Sequence, residues 1–314
     1  MDVLIISYTA PSIVSFWDIS PETLGIVFSS GLFGMAIGAL FLAPYADKVG
    51  RKKIILISTI IISLGVFFTA FSKNIIHLTS LRFLSGIGIG TMLASTVSLV
   101  SEYTPDRSKD FWISFVLAGY PVGAIFAGYL SNIILLKYSW HYVYLVFGSF
   151  SALLIPVVYY FLAESVGFLI KSQPTNAISR INRIFDKLKI ANINTLPAYE
   201  NKNNQIAVNE LLNKKYITST IKLWIAFFSA FVCLYYLISW IPKLVTDMGL
   251  SMELGIYSGT IFNAGAFLGI ITQGYFSSKF GLKRVISTFM ILTCILMSLI
   301  QYFIDSDLML IIFG

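Results

Sequence analysis

Apolar residues in this chain come in unbroken runs of about twenty, not in the alternation of strands or the one-sided stripe of surface helices. Nine runs fall at 1–17, 22–43, 54–72, 75–101, 111–136, 142–163, 221–245, 252–276 and 285–303, and a tenth opens at Leu308. A bilayer core about 30 Å thick takes about 20 helical residues. Each run is therefore predicted to be a membrane-crossing helix. Gly and Pro recur inside the runs, as membrane helices tolerate. A cleaved signal peptide is the alternative for run 1–17, but that run has neither a basic start nor a small-x-small cleavage site. The predicted fold is all-α and polytopic. A six-helix bundle is expected over 1–163, a cytoplasmic segment over 164–220, and a partial second bundle over 221–314.

Composition narrows the function classes. Hydrophobic residues make up 57% and charged residues 12%, where a soluble domain carries about 25% charge. So little charge excludes an ordinary cytosolic enzyme and a disordered chain. The balance of 22 basic to 15 acidic residues, net charge +7, would suit nucleic acid only if the charges shared one exposed face. They are instead spread over the breaks between runs. Lys48, Arg51, Lys52, Lys53, Arg107, Lys109, nine more from Lys171 to Lys222, and Lys279, Lys283 and Arg284 all fall on one side, 18 of 22. Lys73, Lys137 and Lys243 fall on the other side, and Arg82 alone lies away from the ends of a run. Basic loops stay inside. Segments 43–53, 102–110, 164–220 and 277–284 are expected in the cytoplasm, and the membrane is expected to be the inner one.

Cys233 and Cys294 lie in apolar runs and give neither a disulfide framework nor metal spacing. The chain has no HExxH, GxSxG or Walker loop. No enzyme activity, metal or cofactor is expected.

Segment 164–220 is the one sizeable soluble piece. Thr175–Leu188 reads as a basic amphipathic helix, with Ile178, Ile181, Ile184, Phe185 and Leu188 on one face and Arg180, Arg183 and Lys187 elsewhere. Such a helix is expected to lie on the anionic inner leaflet. Residues 192–209 are Asn-rich and read as a flexible linker.

The chain also repeats itself. GMAIGALFLAPYADKVGRKK at 34–53 aligns without gaps on GAFLGIITQGYFSSKFGLKR at 265–284, at an offset of 231. Gly34 matches Gly265, Gly38 matches Gly269, Lys48 matches Lys279, Gly50 matches Gly281, Lys52 matches Lys283, and Pro11 matches Pro242. Run two thus corresponds to run eight, so the repeat unit is six helices. Two such bundles in parallel repeat are a transporter architecture, with the substrate site between them near the midplane. On that plan about ten residues of the first helix and roughly 80 residues of the second bundle are missing, so a fragment is expected.

Within this frame a few residues are candidates for function. Gly50 permits a tight turn. Asp47 ends its helix where its carboxylate can pair with Arg51 or Arg107 and face a neighbouring helix N-terminus. Such a pair would hold a gate closed; the alternative is that Lys48, Arg51 and Lys52 only fix topology. Ser278 stands where Asp47 stands, so the second copy lacks that acid. Asp2 and Arg82 are the charged residues that the runs carry to membrane depth, each costly there unless paired or hydrated. Counting along the helices separates them by about 9 Å in depth, so they are expected to line one cavity without an assured salt bridge. Asp2 would carry a proton; its alternative is simple hydration beside the terminal amine. Arg82 would grip a carboxylate in bidentate fashion; its alternative is a tie to helix carbonyls. Tyr120, Phe126, Tyr235, Tyr236 and Trp240 would stack on an aromatic ligand, or else face lipid. Glycines 86, 88, 90, 119, 123 and 128 would let helices approach closely, with a bend at Pro121.

The loop APYADKVGRKK at 43–53 resembles the signature between helices two and three of the major facilitator superfamily, with Ala43 in place of the usual Gly. RFLSGIGIG at 82–90, SEYTPDR at 101–107, LAESVGFL at 162–169 and SWIPKLVTDMGLS at 239–251 resemble its aromatic acid:proton symporters. That branch carries Asp-Gly-x-Asp in helix one, and Met1-Asp2 is similar to its last two positions. The resemblance implies that Asp2 is the second acid, that Arg82 and Glu102 are charges associated with transport, and that Asp47 is the loop acid. It implies uptake of a small aromatic carboxylate with a proton by rocking of two six-helix halves. Relatives in this branch are similar to carriers of nicotinate, muconate or other acids. The expected partners are a small organic anion, protons and the lipid bilayer. A membrane remnant that does not transport is the second reading.

Overall fold

The computed structural model describes residues 2–196, 213 and 216–300. The start of the tenth run at Leu308 and residues 197–209 of the linker lie outside the described residues. Every regular element among the described residues is helical.

Helix α1 is Asp2–Trp17 and α2 is Pro21–Ile37, prolonged through a short α3, Ala46–Val49. Then follow α4 Arg51–Thr69, α5 Ile75–Tyr103, α6 Lys109–Leu117, α7 Gly119–Leu135 and α8 Trp140–Phe161. Two short helices, α9 Val166–Ser172 and α10 Ala177–Leu188, precede α11 Ile217–Asp247, α12 Met252–Phe280 and α13 Leu282–Ile300. Among the described residues seven helical stretches are long and apolar enough to cross a bilayer, and α1 is a shorter apolar helix beside them. The run predicted at 111–136 is a pair, because Pro121 has no N–H for the Leu117 carbonyl and the helix breaks at Ala118.

The outer surface is apolar as well as the core, unlike that of a soluble globule. Phe33, Leu40, Leu153 and Phe161 are among many large apolar side chains left exposed, and lipid is the solvent that suits them. Inside, many hydroxyls bond within their own helices: Ser58 donates to Ile54 O at 2.8 Å and Thr69 to Gly65 O at 2.7 Å. In a medium without water such bonds spare each polar group its desolvation cost.

The offset of 231 governs the backbone as well as the sequence. Pro21–Val49 spans 29 residues, as does Met252–Phe280, and α4 and α13 span 19 each. Ser20 caps the Thr23 N–H at one helix start, and Ser251 caps the Leu254 N–H at the other. Gly50 and Gly281 end the two helices with φ of 108° and 86°. The amide of Gly50 bonds Ala46 O at 3.0 Å, and that of Gly281 bonds Ser277 O at 3.1 Å. Asp18 and Gly249, also 231 apart, both have positive φ. One difference has a local cause. Pro44 withholds an N–H, so the first copy slips through a π-turn at Gly38–Leu42 and a 3-10 turn at Ala43–Tyr45. Tyr275 takes that place in the second copy, and α12 runs on unbroken.

Glycines set the closest helix crossing. A Cβ on Gly86 would strike the Gly31 backbone, one on Gly90 the Met35 backbone, and one on Gly38 the Ile87 carbonyl. Helices α2 and α5 therefore lie backbone to backbone, which fixes the position of Arg82 at the start of RFLSGIGIG. Second-unit helices pack on the first unit through α11 against α1 and α12 against α6 and α7.

Candidate functional site

Two polar clusters stand out, one within the helical bundle and one at its basic end. The first forms where α1, α5, α7 and α8 meet. Arg82 is buried at 4% exposure. Its Nη1 donates to Asp2 O at 2.9 Å and its Nη2 to Val3 O at 3.1 Å. The Asp2 carboxylate instead accepts from Ser151 Oγ at 3.2 Å and 3.3 Å. The two ionisable residues thus share one backbone unit, with no ion pair between their side chains among the described residues. The tie to helix carbonyls weighed for Arg82 is present in this conformation. Asp2 and Tyr120 line one cavity of about 260 Å³. Arg82 lines a separate small cavity with Phe28 and Tyr235, not the one that Asp2 lines.

Several polar atoms here are buried without a partner among the described residues: Arg82 Nε, the Tyr120 hydroxyl and Asn263 Oδ1. Such atoms are costly unless something reaches them. Tyr8, buried at 1%, crosses from α1 to donate to Ala124 O at 3.2 Å. Its ring lies 3.0 Å from where a Cβ on Gly259 would sit, so α12 presses directly on this region. Of the aromatic candidates, Trp240 meets Phe28 edge-on with centroids 5.5 Å apart. Tyr236 does not join the cluster. It is 54% exposed, while Tyr235, about 100° round the helix, lines the Arg82 cavity. Phe126 is 46% exposed and packs against Phe150.

The second cluster joins the α3–α4 turn to the ends of α5 and α8. Arg51 pairs with Glu102, and with Asp47 at 3.4 Å. Asp47 is 62% exposed, so its share is small; Glu102 is the more shielded partner. Glu102 also accepts from Ser165 Oγ at 2.5 Å. Glu164 lies 5% exposed, and its Oε1 accepts from the Lys52 and Ser165 N–H groups, each at 3.0 Å. A carboxylate therefore seats on the first turn of α4, where the helix dipole favours it. Gly50 is needed twice there: its φ is positive, and a Cβ would come within 2.5 Å of Glu164 Oε2. Lys48 lies over the Tyr45 ring and Lys52 over Tyr159, at 5.4 Å and 5.7 Å. Arg107 stays outside the cluster, exposed in the 3-10 turn Asp106–Ser108. In the second copy Ser278 spends its hydroxyl on Tyr275 O at 2.8 Å, and no acid stands at that position.

The sequence profile of the Major Facilitator Superfamily matches residues 1–314. The chain belongs to this superfamily. Among curated relatives of this major facilitator chain, the 4-hydroxybenzoate transporter PcaK of Acinetobacter baylyi is 30% identical over 294 residues, covering 92% of this chain and 64% of that protein. The gallate transporter of Pseudomonas putida is 31% identical over 287 residues, covering 91% and 64%. The chain thus spans less than two thirds of the length of these relatives. Among solved structures, XylE of E. coli in a partially occluded inward open conformation superposes with a TM-score of 0.66 at 17% identity, covering 89% of this chain and 70% of that one. XylE bound to 6-bromo-6-deoxy-D-glucose gives a TM-score of 0.68 at 15% identity, covering 89% and 66%. These structures show the major facilitator fold. Members of the superfamily are transporters, not enzymes.

Three residues of this major facilitator chain escaped the reading of its sequence. Glu164 and Ser165 were visible only as part of LAESVGFL, with nothing local to say that they would reach Lys52 and Glu102. Asn263 is uncharged, and a search for ionisable residues within the runs passes over it. Its signal was a carboxamide in the middle of run 252–276.

Proposed function

We propose that this chain belongs to a secondary transporter that takes up a small aromatic carboxylate together with a proton, by alternating exposure of a site between two halves. The reading places it in the inner membrane with the basic loops in the cytoplasm. The observation that carries it is the cluster of Asp2, Arg82 and Tyr120 at one buried junction, with unpartnered Arg82 Nε and Tyr120 hydroxyl around it. A guanidinium that trades its two carbonyl bonds for a substrate carboxylate gains a charge-assisted fork. The names of the relatives, transporters of 4-hydroxybenzoate and gallate, support an aromatic acid.

Proton coupling has a physical motive. An anion entering alone opposes the membrane potential by about 2.3 kcal/mol per charge per 100 mV. A proton taken by Asp2 cancels that cost. The Arg51–Glu102 pair, backed by Glu164, serves as the gate contact on the basic side, with Asp47, Lys48, Gly50 and Lys52 around it. Arg107 is assigned no part in that contact.

The test is uptake of labelled 4-hydroxybenzoate and benzoate into energised vesicles, with and without an uncoupler. Accumulation that the uncoupler abolishes supports the reading. No accumulation by a chain that inserts normally supports the alternative of a membrane protein that does not transport. Carriage of nicotinate or muconate in preference to either probe would keep the mechanism and change the substrate. Arg82→Lys is expected to raise the half-saturation concentration about tenfold or more, because one ammonium cannot form the fork. An unchanged value would make Arg82 structural.

A further inference from the structure

Beside α10 lies a cavity of about 640 Å³ that the transport reading does not use. Its apolar wall comes from the end of α5, from Trp112 and Val116 of α6, and from Phe161 at the end of α8. Helix α10 closes the remaining side. Ile181 is fully buried, while Ile184 and Leu188 turn into the cavity. Around the same opening stand Arg180, Arg183, Lys187 and Lys52.

The described acids beside these four cations bond to other groups. Glu164 is the carboxylate in the lining, and its Oε1 is taken up by the Lys52 and Ser165 amides. Asp186, on the same helix as the three outer cations, accepts from Asn192 Nδ2 at 3.0 Å. Among the described residues none of the four has an ion-pair partner. Arg180, Arg183 and Lys187 follow one another at spacings of three and four, where like charges repel. An anion seated among them would remove that repulsion.

The wall decides which anion. Trp112, Val116 and Phe161 are 44%, 40% and 80% exposed, and they belong to helices whose outer faces meet hydrocarbon. The cavity therefore opens to lipid on one side and to cations on the other. A small aqueous phosphate would leave the apolar side unfilled. We propose that this cavity is a binding site for one anionic phospholipid, its phosphodiester held by Arg180, Arg183, Lys187 and Lys52 and an acyl chain laid along Trp112 and Phe161. Helix α10 then docks on the transmembrane helices through a lipid instead of lying free on the leaflet. The site needs only a membrane-spanning chain and no particular substrate.

Trp112 is the reporter. The whole chain is placed in phosphatidylcholine nanodiscs containing a tenth of phosphatidylglycerol, and either lipid carries brominated acyl chains. The Trp112 signal is the difference from Trp112→Phe. Brominated phosphatidylglycerol is expected to quench Trp112 far beyond its mole fraction. The triple variant Arg180→Gln, Arg183→Gln, Lys187→Gln is expected to lose the preference, by roughly fivefold for each charge removed, with an unchanged helical circular dichroism spectrum. Quenching in proportion to mole fraction, or a preference that survives in the triple variant, overturns the proposal. Abolition of the preference by millimolar inorganic phosphate also overturns it, because the cations would then serve a soluble ion.

Discussion

A methyl group added at two repeat-related glycines is expected to act in opposite directions. Gly38 and Gly269 are separated by the offset of 231 and occupy matching positions of matching helices, Gly38 at the start of the π-turn and Gly269 in unbroken α-helix. A Cβ on Gly38 would lie 2.8 Å from Thr91 Oγ1 and 2.9 Å from the Ile87 carbonyl carbon, and would strike the Ile87 oxygen. Comfortable contacts between such atoms are about 3.5 Å, so α2 and α5 would have to part by up to about 1 Å. The Thr91–Ile87 hydrogen bond of 2.8 Å sits at the same spot, so no flexible side chain is free to yield. Overpacking of this kind costs about 1–3 kcal/mol. At Gly269 no atom of the described residues lies within 4 Å of the added carbon. There the gain in helix propensity acts alone, about 0.5–1 kcal/mol in favour of Ala. The assay is thermal unfolding of the purified chain in detergent, followed by tryptophan fluorescence, for wild type, Gly38→Ala and Gly269→Ala. Gly38→Ala should unfold several degrees lower and Gly269→Ala at or above wild type. Equal shifts in the same direction would refute the reasoning, because the two sites would then have equivalent surroundings.

Two further outcomes follow from the basic-end cluster. Glu164→Ala removes an acceptor that satisfies two N–H groups, each such bond to a charged group being worth about 1.5–3 kcal/mol. A loss of about 3 kcal/mol in the unfolding midpoint assay is expected, and proteolysis of the turn at Gly50 should rise with it; an unchanged midpoint would mean that the amides find other partners. In double-mutant cycles on Arg51, Glu102→Gln should show a coupling of about 1–3 kcal/mol and Asp47→Asn one within about 0.5 kcal/mol. The reverse order would return the latch to the loop acid favoured by the motif alone.

Much of the architecture was legible before any coordinates. Run lengths near twenty, with charge confined to the breaks, leave a helical membrane protein as the physical outcome, because only helices or closed barrels satisfy every backbone group in lipid. The gapless match at an offset of 231 foretold that Gly50 and Gly281 would share a backbone conformation, since only glycine takes that φ without strain. Arg82 and Asp2 were found by their cost at membrane depth; counting helical rise left a salt bridge open and expected one shared cavity, whereas each lines a different one.

Tertiary packing decided the rest. The rotation of α11 admits Tyr235 and turns Tyr236 away, a difference of one residue that an all-apolar helix does not encode in its periodicity. Arg51 reaches Glu102 as well as Asp47 because the end of α5 comes to the α3–α4 turn, and of its two partners Glu102 is the less exposed. Glu164 reaches the Lys52 amide across 112 positions of sequence, and no local pattern anticipates a contact that exists only once α8 has returned to the start of α4. Sequence determined which segments enter the membrane and which halves correspond, because burial of apolar surface is additive along the chain. Which side chains meet was left to the packed structure, because directional contacts depend on the mutual placement of whole helices.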